Sequence, residues 1–160
     1  SGEATIEAWA MADNAHQGGP SRMVTLSQNS SLRAFTLGQT GDTWAIRFRT
    51  SATGDNGSSI GQVDRPEGGA VIPGVAQHIL ARFGGGNLDL VVDGVLVDTE
   101  AWGGDLSVWE DTHVLGLGNE VSAVGSFSEE RVWLGALYLV AVYDRALGDA
   151  EVTANFDAGP

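Results

Sequence analysis

The chain has 160 residues, of which 42% are hydrophobic and only 18% are charged, and this balance predicts one folded domain over residues 1–160. All eight basic residues are arginines and they face 21 acidic residues, so the net charge of −13 argues against nucleic acid and anionic membrane as partners. The absence of cysteine excludes disulfides and thiolate metal sites, and no apolar run is long enough to cross a bilayer.

Short runs with the character of β-strands recur along the chain between clusters of glycine, asparagine and aspartate. In the run 44–50, Trp44, Ile46 and Phe48 alternate with small or charged residues, which is the period-two pattern of a half-buried strand. The polar stretch 54–69 predicts a long surface loop. The recurrence of these runs between turn residues predicts an antiparallel sandwich. Its predicted strands lie at 5–10, 22–27, 33–37, 44–50, 75–83, 88–92, 95–98, 113–117 and 132–143.

The second half of the chain contains three local signals. The pair Asp93-Gly94 stands between two apolar runs and predicts a tight hairpin. The run 132–143 is apolar at both parities, which predicts a strand that is covered on both faces. After it, Asp149 is predicted to cap a short helix that extends through Phe156, with Gly159 as its terminator.

Three stretches carry a family resemblance: the opening Thr-Ile-Glu-Ala-Trp at 5–9, the Leu-Val-Val-Asp-Gly-Val-Leu-Val hairpin at 90–97, and the closing run 133–147. Together they resemble the laminin-G-like (concanavalin A-like lectin/glucanase) superfamily, in its bacterial branch. The resemblance implies an all-β, antiparallel jelly-roll β-sandwich with one short C-terminal helix, belonging to a larger extracellular or cell-surface protein. Many relatives carry an acidic and a basic residue in the closing strand, where this chain has Leu139 and Ala141.

The fold alone leaves three functions open, because it hosts binding modules and enzymes alike. A glucanase of this fold uses two carboxylates on one strand face, and no Glu-x-Asp-x-x-Glu pattern occurs here. The adjacent pairs Glu110-Asp111 and Glu129-Glu130 point to opposite faces of a strand. We therefore favour a non-catalytic carbohydrate-binding module over a protein-interaction, adhesion or structural module, and both over a glycoside hydrolase. The expected partner is a polysaccharide or glycan, or else a protein, beside other domains of the same polypeptide.

Aromatic residues supply the first candidates for a ligand site. Trp9 and Trp44 fall at core positions of strands, where packing is the favoured interpretation. Trp102 and Trp109 lie with Asp105 in a glycine-containing loop at one end of the sandwich, where binding loops cluster. We expect this loop to contact ligand, although a loop that is pinned to the sandwich by its own aromatic residues is an equally good alternative.

Carboxylates of the same region supply a candidate metal site. Calcium binds six to eight oxygen atoms, and relatives often hold one calcium ion at the rim of the sandwich. Asp105 and Asp111, with Asn119 and Glu120 after the next strand, are the candidate ligands. The alternative is that they are solvated loop carboxylates of an acidic protein.

Arginines on the polar face of one sheet supply the last candidates. Arg47 and Arg49 are candidate ligand-binding residues, and either of them or Arg131 could meet Glu120. We predict that Glu120 is buried and paired with at least one of these three arginines, because a lone buried carboxylate would be too costly. A structural ion pair and a glycan site use the same residue types, so the sequence leaves both open.

Overall fold

The computed structural model describes residues 2–57, 67–123, 126–127 and 131–160. Within these ranges the chain forms twelve strands followed by one helix. The elements are β1 (Ala4–Ala12), β2 (Gln17–Ser27), β3 (Arg33–Gly41), β4 (Thr43–Phe48), β5 (Glu67–Ala70), β6 (Gln77–Gly84), β7 (Asn87–Val92), β8 (Val95–Ala101), β9 (Val114–Leu117), β10 (Val121–Ala123), β11 (Ser126–Phe127), β12 (Gly135–Tyr143) and α1 (Asp149–Ala158).

Two antiparallel five-stranded sheets form the body of the domain. Sheet A has the strand order β12-β1-β6-β7-β8, and sheet B has the order β5-β4-β3-β2-β9, while β10 and β11 pair with each other. This arrangement confirms the predicted all-β jelly-roll sandwich with one short C-terminal helix. The helix, ten residues long, is too short to cross a membrane.

The core lies between the two inner faces and follows the period-two alternation of the strands. Phe35 and Leu37 of β3 pair in register with Phe48 and Ile46 of β4, and all four side chains are buried. Trp44 extends the same inner face, as predicted. Burying a side chain of this size contributes about 1.5–3 kcal/mol, so these rows supply much of the driving force for stacking the sheets.

The predicted hairpin forms at Asp93-Gly94. Both residues have positive φ, 51° and 75°, and Val92 pairs directly with Val95. These are the features of a two-residue type I′ turn, whose twist matches that of the flanking strands. Of the long loop predicted at 54–69, residues 58–66 lie outside the described ranges, and its last residues belong to β5.

Trp9 is buried, but it does not lie between the sheets as predicted. Regular alternation along β1 points Ile6 and Ala8 into the core and Trp9 to the outer face of sheet A. There the indole ring stacks on Phe156 of α1, with ring centroids 5.9 Å apart. The large aromatic side chain is therefore buried by the helix, and small alanines fill the inner face of β1.

Two further expectations require correction. Gly148, and not Asp149, precedes the helix as its N-cap, because the Glu151 carboxylate accepts the Gly148 N–H at 2.9 Å. Asp149 instead pairs with Arg82 at 2.7 Å. The closing strand β12 is not covered on both faces, since it forms the edge of sheet A and leaves Tyr138, Leu139 and Val142 exposed. Gly159, with φ of 76°, ends the helix as predicted.

A buried polar network on the outer face of sheet A attaches the helix. The Glu7 carboxylate contacts His78 Nε2 at 2.8 Å and accepts hydrogen bonds from the Tyr143 hydroxyl at 2.8 Å and from Asn155 Nδ2 of α1 at 2.9 Å. Burial alone would raise the pKa of Glu7, but the hydrogen bonds from His78, Tyr143 and Asn155 lower this pKa below its ordinary value. The ionised carboxylate therefore stabilises the docked helix.

We expect Glu7→Gln to reduce the acid sensitivity of the domain. Because the pKa of Glu7 is lower in the folded than in the unfolded state, its contribution is complete above the unfolded pKa and is lost as pH falls through the folded pKa. Urea midpoints between pH 7 and pH 3 should fall in the acid range for the wild type, and less steeply for Glu7→Gln. Glu110→Gln, at an exposed carboxylate, should leave the wild-type profile unchanged. Equal acid sensitivity in wild type and Glu7→Gln would contradict this role.

Candidate functional site

Three arginines surround one buried carboxylate on the outer face of sheet B. Glu120 Oε2 lies 2.8 Å from Arg131 Nη1 and 3.5 Å from Arg22 Nε, and Glu120 Oε1 lies 2.9 Å from Arg33 Nη2. The side chains of Glu120, Arg33 and Arg22 are 0%, 0% and 4% exposed, whereas that of Arg131 is 30% exposed. We call these four residues the arginine cluster.

Irregularities in the pairing of β2 with β3 place two of these arginines on the outer face. The register shifts between Arg22 and Val24, and again where Ser27 pairs with Arg33. At each shift two consecutive residues face the inner core, Met23 with Val24 in β2 and Ala34 with Phe35 in β3. Arg22 and Arg33 consequently point away from the core, as is usual when a β-bulge redirects a side chain.

The predicted pairing of Glu120 is confirmed through Arg131, and Arg22 and Arg33 are members that the sequence analysis missed. An arginine within or next to an apolar strand is the signal that could have found them. Burial lowers the pKa of Arg22 to about 9, with further lowering by the charge of Arg33. Burial also lowers the pKa of Arg33 to about 10, against the opposing effect of Glu120. Both shifts arise mainly from burial, and neighbouring arginine charges add to them.

The other two candidate arginines have different partners. Arg49 Nη2 lies 2.9 Å from Asp55 Oδ1, and its Nη1 donates to the Val108 carbonyl at 3.1 Å. Arg47 Nη1 donates to the Asn56 carbonyl at 3.4 Å. Arg49 thus connects the loop after β4 to the loop before β9, which is a structural role.

The predicted ligand loop is attached to the core by its tryptophans. Trp102 is 3% exposed and belongs to the core, so its ring has no free face for a ligand. Trp109 packs against Phe35 and Phe48, with ring centroids 5.8 and 5.2 Å away, and its Nε1 donates to the Arg49 carbonyl. The alternative of a loop pinned by its own aromatic residues therefore holds for Trp102, while Trp109 remains partly exposed.

The predicted calcium ligands do not form a metal site. Asp105 and Asp111 are exposed, and the Asp105 carboxylate accepts hydrogen bonds from the Ser107 N–H and hydroxyl. Glu120 lies among cationic guanidinium groups, and Asn119 Oδ1 accepts the Glu120 N–H at 2.7 Å. Among the described residues no three His, Asp or Glu side chains are grouped as metal ligands would be. These residues do not fit the oxygen cage that calcium requires.

A groove of about 310 Å³ lies beside Trp109, at the end of the sandwich where β1 begins and β12 ends. Its lining includes Leu106, Trp109, Val142 and Tyr143. Glu3 and Asp144 bring carboxylates to the same space. We call this space the Trp109 groove. It combines apolar and aromatic surface with a few polar groups, which is typical of small-ligand sites.

The sandwich, with a groove at its end and charged residues on a sheet face, has the architecture of lectin-like proteins. The chain belongs to the concanavalin A-like lectin/glucanases superfamily, whose family model matches residues 1–153. A sequence comparison with curated proteins gives no match.

Solved structures similar to the domain include carbohydrate-binding proteins. The CBM40 domain of the Ruminococcus gnavus IT-sialidase, bound to α2,3-sialyllactose, superposes with a TM-score of 0.73 at 16% identity, over 96% of this chain and 82% of that one. A SAP-like pentraxin from Limulus polyphemus gives 0.67 at 15% identity, over 95% and 68%. The NanB sialidase of Streptococcus pneumoniae gives 0.71 at 14% identity, over 96% of this chain but only 24% of the sialidase. At these identities the likeness establishes the fold.

Glu120→Ala should destabilise the domain by about 3–5 kcal/mol, because it would leave two buried guanidinium groups without their counter-charge. Urea denaturation at pH 7 measures the change in free energy of unfolding. Asp111→Ala, which removes an exposed carboxylate, is the control and should change stability little. A decrease in the free energy of unfolding no larger than that of ordinary surface substitutions would show that the arginines do not need Glu120 as their counter-charge.

Trp102→Ala should lower the free energy of unfolding by about 3–5 kcal/mol, the usual cost of deleting a large buried aromatic side chain. The hypothesis that this loop contacts ligand predicts the opposite, a stable fold with ligand binding lost. Thermal unfolding followed by circular dichroism distinguishes the two outcomes. An unchanged melting temperature would favour a ligand-contacting Trp102.

Proposed function

We propose that this domain is a non-catalytic carbohydrate-binding module of a larger secreted or surface protein, and that a glycan binds in the Trp109 groove. The observation that carries the proposal is that Trp109 and two acidic residues, Glu3 and Asp144, line one space of about 310 Å³. A carbohydrate-binding neighbour, the CBM40 domain with bound sialyllactose, supports the same class of ligand.

The chemistry of the groove suits a sugar ring. The apolar C–H face of a pyranose can pack on Trp109, whose aromatic surface buries a large area at low entropic cost. Sugar hydroxyls can donate hydrogen bonds to the carboxylates of Glu3 and Asp144, and such charge-assisted bonds are stronger than those between neutral groups. Apolar stacking with a few polar contacts would give both affinity and orientation.

A protein partner is the second candidate function, favoured by the edge strand β9. Val114, Leu115 and Leu117 are all exposed on this strand, which has β2 as its neighbour in sheet B. An exposed apolar edge can pair with an extended segment of another protein through backbone hydrogen bonds. Such an adhesion function would use β9 and would not require the groove.

Val142→Arg should abolish glycan binding while leaving the fold intact. Val142 lines the groove, is 50% exposed and lies on an edge strand, so an arginine there obstructs the groove without entering the core. Val95→Arg is the matched control, since Val95 is a 62% exposed valine on the opposite edge of sheet A and gives the same charge change. A glycan array selects the ligand, and calorimetry should then show a loss of at least about tenfold in affinity for Val142→Arg alone.

The same experiment separates the candidate functions. Binding that survives in Val142→Arg would refute the groove as the site, and an array without any bound glycan would favour the protein partner. Release of reducing sugar from the bound glycan would refute the non-catalytic assignment.

A further inference from the structure

Among the residues that the structure describes, those that line the Trp109 groove include two acids and no base. Glu3 and Asp144 carry the charge, and the rest of this lining is apolar or aromatic. Arg145 follows Asp144 in the chain, but its Nη1 and Nη2 atoms each donate to the Glu151 carboxylate of α1 at 2.7 Å. The charge of Arg145 is thus matched by Glu151, and the lining of the groove keeps its negative charge.

The pairing of β1 with β12 brings the two acidic residues together. Thr5 pairs with Tyr143, so the segments that hold Glu3 and Asp144 run side by side just beyond this pair. The Glu3 carboxylate also accepts the Ala146 N–H at 3.3 Å, which holds Glu3 beside the segment that follows Asp144. Like charges on neighbouring strands repel each other, and the net charge of −13 adds to this repulsion. A cation that enters the groove would relieve it.

We infer that the glycan of the Trp109 groove carries a protonated amine, as an oligosaccharide of unacetylated hexosamine units does; this inference rests on the proposed function. The ammonium group donates hydrogen bonds to the carboxylates of Glu3 and Asp144, and such bonds between opposite charges are about twice as strong as those between neutral groups. A cation close to an indole ring is further attracted by its π-electrons, which Trp109 provides. The same lining repels uronic acids and other acidic sugars.

Charge, and not the shape of the ring, separates the candidate sugars. Glucose, glucosamine and N-acetylglucosamine share the pyranose ring that packs on Trp109, and they differ in the substituent at one carbon. Acetylation of the amine leaves an N–H donor but removes the positive charge, so the attraction to two carboxylates is lost. Hydroxyl groups of neutral sugars still donate to Glu3 and Asp144, which allows neutral glycans to bind more weakly.

The test compares three tetrasaccharides, of glucosamine, N-acetylglucosamine and glucose, by calorimetry at pH 5.5, where the free amines are mostly protonated. Salt at 0.15 M shortens the Debye length to about 8 Å and so suppresses unspecific attraction of a polycation to an acidic protein. Asp144→Asn and Glu3→Gln each remove one charge and keep an oxygen acceptor. Asp13→Asn, at an exposed aspartate just after the other end of β1, is the matched control. Spermine serves as a cation without a sugar ring, and melting temperatures verify that each variant is folded.

We expect the glucosamine tetrasaccharide to bind the wild type at least about tenfold more tightly than the two neutral tetrasaccharides, the ratio that one charged hydrogen bond provides. Asp144→Asn and Glu3→Gln should each lose most of this preference, and Asp13→Asn should keep it. Equal affinities of the wild type for the three tetrasaccharides would overturn the inference. An equal loss in Asp144→Asn and Asp13→Asn would overturn it as well, because the attraction would then follow the net charge of the protein.

Failure of this inference can be told apart from failure of the proposed function. If the glycan array selects a neutral glycan that Val142→Arg no longer binds, the groove remains a glycan site and only the preference for an amine is refuted. Spermine bound as tightly as the glucosamine tetrasaccharide would refute the sugar and leave a site for cations. An array and a titration in which no glycan binds would refute both the inference and the proposed function.

Discussion

The sandwich depends on the burial of two apolar inner faces against each other, and this constraint decides where chemistry can occur. Rows such as Phe35 and Leu37 opposite Phe48 and Ile46 leave no room for polar groups between the sheets. Polar and charged side chains must therefore lie on the outer faces or at the ends and edges of the sandwich. The helix covers the outer face of sheet A through Trp9 and the Glu7 network. The arginine cluster on sheet B and the groove at the open end are what remains.

Irregular pairing accounts for the position of the cluster. Perfect alternation along β2 and β3 would place Arg22 and Val24 on the same face, as it would Arg33 and Phe35. The register shifts break this alternation, so that Met23 and Ala34 are buried in the core and the arginines point outwards. The outward side chains then need a counter-charge, which Glu120 supplies from beyond β9. A local backbone feature and a distant carboxylate thus depend on each other.

The features that the sequence predicted are local, and those that it missed depend on tertiary structure. Alternation located the strands, Asp93-Gly94 located the hairpin, and the cost of a lone buried carboxylate predicted the pairing of Glu120. The face of Trp9 follows from alternation along β1, where Trp9 shares the parity of Glu7 and not of Ile6. The exposure of β12 depends on its place at a sheet edge, which is not visible in residue periodicity. The Trp109 groove joins Glu3, Trp109 and Asp144, whose proximity follows only from the folded topology.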